Sequence, residues 1–165
     1  MTFIIRPARA EDAPAMAYLI NEIIQHGGTT AHKSLFDTDR IMSDFIRPHA
    51  AISCFVAVAD ERVVGFQALE WADPNWPGED KKIPADWGII ATYVHRSCQG
   101  TGVGRTLFKH TEVAAKSAGV TSIDATIRKE NAGGLRYYSS LGFQNYREGS
   151  ETISKQFLVR QALPA

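Results

Sequence analysis

Gln99-Gly100-Thr101-Gly102-Val103-Gly104 puts three glycines between an apolar run, Ile89-Ile90-Ala91-Thr92-Tyr93-Val94, and a helical segment from Arg105 to Ser117. A strand, a glycine turn and a helix start make an anion cradle. Glycine lets the backbone turn tightly and approach a ligand with no Cβ in the way. The first N–H groups of a helix have no partner inside it, and the helix dipole favours negative charge there. A phosphate or diphosphate is the natural occupant, held by backbone N–H groups from Gly100 to Arg105. Two phosphate motifs fail on spacing. The dinucleotide fingerprint G-x-G-x-x-G would need a glycine at 105, which is Arg. Its acidic partner would be Asp124, inside the strand pattern Ser122-Ile123-Asp124-Ala125-Thr126-Ile127 rather than at its end. The nucleotide P-loop needs a lysine, and Gly104-Arg105-Thr106 offers none. Taken alone, the glycines also suit a plain strand–helix turn.

A second motif follows. Asn131-Ala132-Gly133-Gly134-Leu135-Arg136-Tyr137-Tyr138-Ser139-Ser140-Leu141-Gly142-Phe143 reads as a short helix closed by Gly142, then a strand. Together the two segments resemble the GCN5-related N-acetyltransferase (GNAT) superfamily. Its coenzyme loop, Gln/Arg-x-x-Gly-x-Gly/Ala, is matched by Gln99, Gly102 and Gly104. Its later element is matched in register by Asn131, Gly134, Tyr138, Gly142 and Phe143. The resemblance covers residues 87–145; the N-terminal third shares only the pattern of elements. Asn21-Glu22-Ile23-Ile24 with Thr29-Thr30, and Tyr93-Val94, also resemble the phosphinothricin-type acetyltransferases within that superfamily.

The resemblance implies acetyl-CoA as co-substrate and direct acetyl transfer to an amine. It implies that Gln99, Gly100, Thr101, Gly102, Val103, Gly104 and Arg105 hold the diphosphate. The pantetheine arm would lie along Thr92, Tyr93 and Val94, at a splayed or bulged sheet edge. An N–H near Tyr93 or Val94 would face the thioester oxygen, a contribution of about 3 kcal/mol. Tyr138 is the candidate general acid. A phenol has a pKa near 10, so it is protonated at neutral pH and can donate to a departing thiolate. Its alternative is a ring packed in the core with the hydroxyl satisfied elsewhere. Tyr137, on another helix face, reads as structural. Asn131 would offer its amide to the pantetheine and also suits a helix cap.

The general base is less marked. An alkylamine is neutral in only about one molecule in 10³ at pH 7. The phosphinothricin-type enzymes use a glutamate on the strand before the glycine turn, and that position is Ile89 here. Nearby replacements are Glu70, Asp86 and His95, each of which also reads as a solvated strand-end residue. Glu70 ranks first, because a hairpin partner strand should place it beside the acceptor cleft. The acceptor pocket should be lined by His26, Thr29, Thr30 and His32 and by the stretch Trp71 to Trp76. Two tryptophans on a loop rich in Pro and Gly could cover the site, stack on a cation or anchor a homodimer. No His/Cys/Asp spacing resembles a metal set, so no metal is expected. Cys98 as a covalent acetyl carrier fits less well than direct transfer.

The elements around these residues alternate. Phe3 to Arg6 reads as a strand stopped by Pro7, and Asp12 caps a helix that has Pro14 in its first turn. Met16, Leu19, Ile20, Ile23 and Ile24 keep helical spacing up to Gly27-Gly28. Residues 37–47 read as a second helix, 52–59 and 63–71 as a hairpin, and 87–94 as the strand before the glycine turn. The helix after it ends at Gly119, 122–127 is a strand, 131–141 a helix, and 143–146 with 153–160 a closing hairpin. That order predicts an α/β (α+β) domain with a mixed, mostly antiparallel central sheet flanked by helices, the fold the resemblance also implies. The 165 residues suit a single domain. Lys+Arg equals Asp+Glu at 18 each, which argues against a nucleic-acid or anionic-membrane surface. Two cysteines make no disulfide framework, and Cys54 reads as core. No run reaches membrane-spanning length and the N-terminus lacks a signal layout, so the expected location is the cytoplasm. The acceptor is expected to be a small molecule or amino acid. A protein N-terminus or lysine is the alternative, as is a coenzyme-binding module that has lost transfer.

Overall fold

The structure is a computed structural model that describes residues 1–75 and 83–160. Among the described residues, seven strands and four α-helices follow the expected alternation: β1 (Ile4–Pro7), α1 (Ala13–His26), α2 (Thr38–Ile41), β2 (Ala51–Ala59), β3 (Arg62–Trp71) and β4 (Trp87–Val94) come first. Then come α3 (Val103–Ala118), β5 (Ser122–Arg128), α4 (Ala132–Ser140), β6 (Gln144–Glu148) and β7 (Thr152–Leu158). They form one sheet in the order β1-β2-β3-β4-β5-β7-β6. Only the β4–β5 pair is parallel. A parallel neighbour needs a crossover, and α3 supplies it. The mixed, mostly antiparallel sheet is as predicted.

Alternation along β3 divides the core. Phe66 and Ala68 face α1 and α2, where Met16, Leu19, Ile20, Ile23, Ile41 and Phe45 are buried against them. Leu69 faces the opposite side with Phe108, Ala115, Val120 and Ile123, under α3. Each fully buried aliphatic or aromatic side chain contributes about 1.5–3 kcal/mol. These two layers therefore clamp α1 and α3 to opposite faces of the central strands.

Several local expectations change. Pro7 belongs to β1 rather than stopping it; β1 is an edge strand, where a missing N–H is tolerated. Asp12 precedes α1, but its carboxylate does not cap the helix. It accepts from the Arg9 N–H at 2.7 Å and from the Arg6 guanidinium at 2.7 and 2.8 Å. The second helix begins as predicted, with Asp37 Oδ1 accepting from the Arg40 N–H at 2.8 Å, then widens into a π-turn over Met42–Ile46. The last strand β7 inserts between β5 and β6.

One feature of the sheet matters most. β4 and β5 pair only at Trp87–Ser122, Gly88–Ile123 and Ile89–Asp124. Beyond that point β4 stays bonded to β3 as far as Val94, and β5 to β7 as far as Arg128. The two parallel strands therefore separate into a V. Residues 90–94 of β4 present a backbone edge to the opening, and α3 and α4 begin just beyond its wide end.

Candidate active site

On one side of the opening lies the glycine turn. Gly100 and Gly102 have φ of 78° and 92°, a backbone state that side-chain-bearing residues rarely adopt. Gly104 is small for a different reason: a Cβ there would meet the Tyr137 ring at 2.8 Å. The Thr106 N–H makes the bond to the Gly102 carbonyl, at 3.0 Å. The N–H groups of Val103, Gly104 and Arg105 precede it and have no intrahelical acceptor. Thr101 donates its hydroxyl to the Cys98 carbonyl, and the Gln99 amide reaches the Val94 carbonyl at 3.4 Å, so both shape the turn. The Val103 side chain is core; its backbone is what faces the cradle. Arg105 is exposed, its guanidinium 3.4 Å from the Ser140 hydroxyl of α4.

Thr92 and Tyr138 meet beside the V. Their hydroxyls are 2.8 Å apart. Burial pushes the Tyr138 phenol well above its ordinary range, the Tyr137 phenol adds to that, and the Thr92 hydrogen bond pulls the other way. Tyr138 therefore keeps its proton at any working pH. The Gln67 amide nitrogen donates to Thr92 Oγ1 at 2.9 Å and to the Tyr137 hydroxyl at 3.1 Å. Tyr137 in turn donates to the Gly104 carbonyl at 2.7 Å. A hydrogen-bonded chain thus runs from the first turn of α3 to Tyr138. Asn131 caps α4, its Oδ1 accepting from the Gly134 N–H at 2.9 Å. A Cβ at Gly134 would lie 2.6 Å from the Asn131 amide nitrogen, so the cap requires a small residue three positions on. That amide nitrogen donates to the Thr29 carbonyl at 3.0 Å, tying the loop after α1 to the start of α4.

The opposite face of β3 and β4 carries the other candidates. Glu70 pairs across the sheet with Ile89, which pairs in turn with Asp124. Glu70 lines a small cavity with Asp44, Phe45, Pro48, Ile89 and Ala91. Burial raises its carboxyl above the usual range, and the Asp44 charge adds to the shift. Tyr93 packs on Phe66 and Phe45 at 5.1 and 5.8 Å between ring centres.

Residues 16–143 match the Acetyltransferase (GNAT) family. The chain belongs to the GNAT acetyltransferase family. It is 26% identical over 140 residues to the phosphinothricin N-acetyltransferase of Streptomyces viridochromogenes, covering 84% of this chain and 73% of that one. Its fold is similar to a GNAT-superfamily phosphinothricin acetyltransferase from Sinorhizobium meliloti solved in complex with acetyl-CoA. That similarity has a TM-score of 0.78 at 16% identity, over 96% of this chain and 89% of the other. A GCN5-related N-acetyltransferase from Kribbella flavida gives a TM-score of 0.76 at 24% identity, over 94% and 97%.

Within this GNAT chain the remaining candidates separate. Asp86 is exposed at the paired end of β4, away from the opening, and its carbonyl holds Thr121. His95 is engaged at both ring nitrogens, Nε2 with Glu22 at 3.2 Å and Nδ1 with Ser97. His26 meets Arg96 at 3.1 Å. These two histidines face a groove beside the end of α1 rather than the Glu70 cavity. His32 stands edge-on to Phe36, and burial lowers its pKa. Trp71 is not on a loop: it ends β3, half-buried under the α3 side of the sheet. Trp76 lies outside the described residues. Cys98 is buried against Val103 and Leu107, packing that suits no acetyl carrier. Burial pushes the Cys54 thiol up to about 12, in keeping with a core residue. Among the described residues no His/Cys/Asp/Glu group could hold a metal, and no helix is long and apolar enough to cross a membrane.

Sequence reasoning missed Gln67, and weighed Asp124 only as the acidic partner of a dinucleotide fingerprint. Gln67 is fully buried in the middle of Val63-Val64-Gly65-Phe66-Gln67-Ala68-Leu69. A lone amide in an apolar strand was the available signal. Asp124 is 2% exposed, at the vertex of the V, and its carboxylate accepts from the Tyr146 hydroxyl at 2.5 Å and the Thr126 hydroxyl at 3.0 Å.

Proposed function

We propose that this chain acetylates the amine of a small molecule or amino acid by direct transfer from acetyl-CoA. The observation that carries the proposal is the separation of β4 from β5 immediately beside the Thr92–Tyr138 contact. Bound there, the coenzyme supplies an activated acetyl group on a thiolate leaving group. Two features fit it. The positive-φ glycines and free N–H groups at the start of α3 suit the diphosphate. The open edge of Thr92, Tyr93 and Val94 suits the pantetheine amides, because exposed strand edges seek such partners. Asn131 stands at the start of α4, and its amide nitrogen, bonded to the Thr29 carbonyl, would have to exchange that partner for a pantetheine carbonyl.

The protein's own residues handle the protons. Glu70, opposite Ile89, takes a proton from the acceptor ammonium, directly or through one water. The neutral nitrogen forms the new C–N bond as the C–S bond breaks. Tyr138 gives its proton to the departing sulfur. The ammonium loses two protons in all: one replaces the proton Tyr138 gave up, and the other leaves through Glu70 to solvent. A backbone N–H of the open β4 edge stabilises the oxyanion. The 26% identity to a phosphinothricin N-acetyltransferase supports a small-molecule acceptor. The two carboxylates at the small Glu70 cavity, Glu70 and Asp44, also supply negative charge that would draw an ammonium group.

The test is thiol release from acetyl-CoA against phosphinothricin, free amino acids, 2-phenylethylamine and an alanine-headed peptide, with wild type and Tyr138→Phe. Release with a small amine that Tyr138→Phe suppresses supports the proposal. Release only with the peptide moves the acceptor to a protein terminus. Tight coenzyme binding with no release from any acceptor favours a binding module.

A further inference from the structure

We infer that Gln67 sets the direction of the hydrogen-bond chain that ends at Tyr138, and is thereby a positioning residue for the proton Tyr138 donates. The inference rests on the acid role proposed above.

The Tyr137 hydroxyl has one proton, and it goes to the Gly104 carbonyl at 2.7 Å. Tyr137 can then only accept from Gln67, so the amide nitrogen of Gln67, not its oxygen, must face Tyr137. The second N–H of the same nitrogen points at Thr92 Oγ1, 2.9 Å away. An amide N–H cannot accept, so Thr92 receives a bond from Gln67 and must send its own proton elsewhere. The hydroxyl that Thr92 meets in hydrogen-bonding geometry is that of Tyr138, not that of Tyr137. Tyr138 Oη, at 2.8 Å, is the acceptor left. With Thr92 donating to it, Tyr138 has no acceptor for its own proton among the described residues. That proton is free to face the opening between β4 and β5.

The orientation has a consequence for energy. Gln67 Oε1 is buried without a hydrogen-bond partner among the described residues. An orphaned acceptor of this kind costs about 1–3 kcal/mol, which an apolar side chain at 67 would avoid. The amide is therefore not explained by stability. Its two N–H groups explain it: one fastens Tyr137 to the first turn of α3, and the other commits Thr92 to be a donor. A donor at Tyr138 Oη also stabilises the phenolate that forms as the proton leaves. This opposes the burial that otherwise holds the phenol proton too tightly.

Gln67→Glu is the sharp test, because it keeps the shape and reverses the polarity. An ionised carboxylate only accepts, so Thr92 turns its proton to it, and Tyr138 then donates to Thr92 and away from the opening. The first readout needs no coenzyme. In protein carrying 13C at the tyrosine ζ position, the Tyr138 resonance, identified by its loss in Tyr138→Phe, should move in Gln67→Glu. It should return as the pH falls and the buried carboxyl regains a proton to donate. The second readout is kcat with phosphinothricin and 2-phenylethylamine as acceptors. It should fall about tenfold or more in Gln67→Glu, the value of one charge-assisted hydrogen bond. No further loss should appear in the Gln67→Glu, Tyr138→Phe double variant. Should Gln67→Glu fold poorly, Thr92→Val must reproduce the resonance shift and Thr92→Ser must reverse it. An unmoved Tyr138 resonance in Gln67→Glu and Thr92→Val, or kcat losses that add to that of Tyr138→Phe, overturns the inference. Full activity in Tyr138→Phe alone removes the acid role instead, and so separates the two failures.

Discussion

The two sides of the opening between β4 and β5 are built by different rules. The α3–α4 side is assembled from two short segments, residues 99–105 and 131–143, in which each residue's place follows from local backbone geometry. Gly102 stands at φ 92° directly before a helix, and Asn131 caps the helix that presents Tyr138. The α1–α2 side is assembled from single residues far apart in the chain. Asp44, Glu70 and Ile89 line one cavity only because β3 lies between β2 and β4. A site that must grip an unchanging coenzyme can be fixed by short-range geometry. A site that must suit one particular amine is free to vary at every wall. The contrast predicts that changes on the α3–α4 side affect every acceptor alike, whereas changes on the other side depend on the acceptor and on pH.

The largest effect tests the first half of that contrast. Tyr138→Phe should lower kcat by about 10²–10⁴ with every amine, the range for loss of a general acid. Calorimetric binding of coenzyme A should be retained. A loss confined to one amine would break the distinction between the two sides. Next, Gly102→Val should raise the acetyl-CoA KM by roughly ten- to a hundredfold. No neighbouring atom lies within 4 Å of a Cβ at that position, so crowding is not the cause. A β-branched residue at positive φ is strained by about 1–3 kcal/mol, and the turn would relieve that strain by turning its N–H groups off the diphosphate. An unchanged KM, read from initial rates, would remove the turn from coenzyme binding.

A smaller and conditional effect is expected at Glu70. Its carboxyl is held above the ordinary carboxylate range by burial and by Asp44. It acts as a base only when ionised, so wild-type kcat/KM should fall as the pH drops through that raised value. Glu70→Gln should lower kcat about tenfold or more at pH 7 and abolish the acid limb, while leaving coenzyme binding alone. Ile89→Glu, added to Glu70→Gln, returns a carboxylate to the adjacent position on β4 and should recover part of the rate. A pH profile that Glu70→Gln leaves unaltered eliminates Glu70 as the base.

What could be read from the sequence follows the same division. The strand–turn–helix at 89–117 and the 131–143 helix were legible because glycine, cap and apolar spacing act over a few residues. The order of elements and the mostly antiparallel sheet were legible for the same reason. Glu70 was reachable only through the hairpin, since its place opposite Ile89 is a matter of strand register. Gln67 was not legible. Its partners Thr92 and Tyr137 are 25 and 70 residues away, and nothing local says that a buried amide in a strand will find them. Asp12 was misread in detail. Its position before a helix suggested a cap, but the guanidinium of Arg6 competes for the carboxylate and wins, because a charged bidentate partner is stronger than a backbone N–H.

That misreading leads to the smallest effect, which compares two buried aspartates, Asp12 before α1 and Asp124 on β5. Asp12 anchors the start of α1, and Asp124 sits at the vertex of the V. The Arg6 hydrogen bonds hold the Asp12 carboxyl below its usual range, whereas burial holds that of Asp124 above it, against the pull of Tyr146 and Thr126. The signs are opposite. A depressed carboxyl stabilises the fold above the unfolded-state pKa near 3.9, and that contribution is lost as the pH falls through the folded-state value. A raised carboxyl does the reverse: the folded state takes up its proton first, so the fold gains as the pH falls through the raised value. Asp12→Asn should therefore lower the melting temperature by roughly 3–10 °C at pH 7, with the gap to wild type closing below about pH 4. Asp124→Asn keeps an acceptor for Tyr146 and removes a poorly solvated charge. It should lower the melting temperature less than Asp12→Asn at pH 7, and its deficit against wild type should widen as the pH is lowered. Melting curves of the two variants that run parallel across this range would mean that neither carboxylate is coupled to folding in the way its surroundings require.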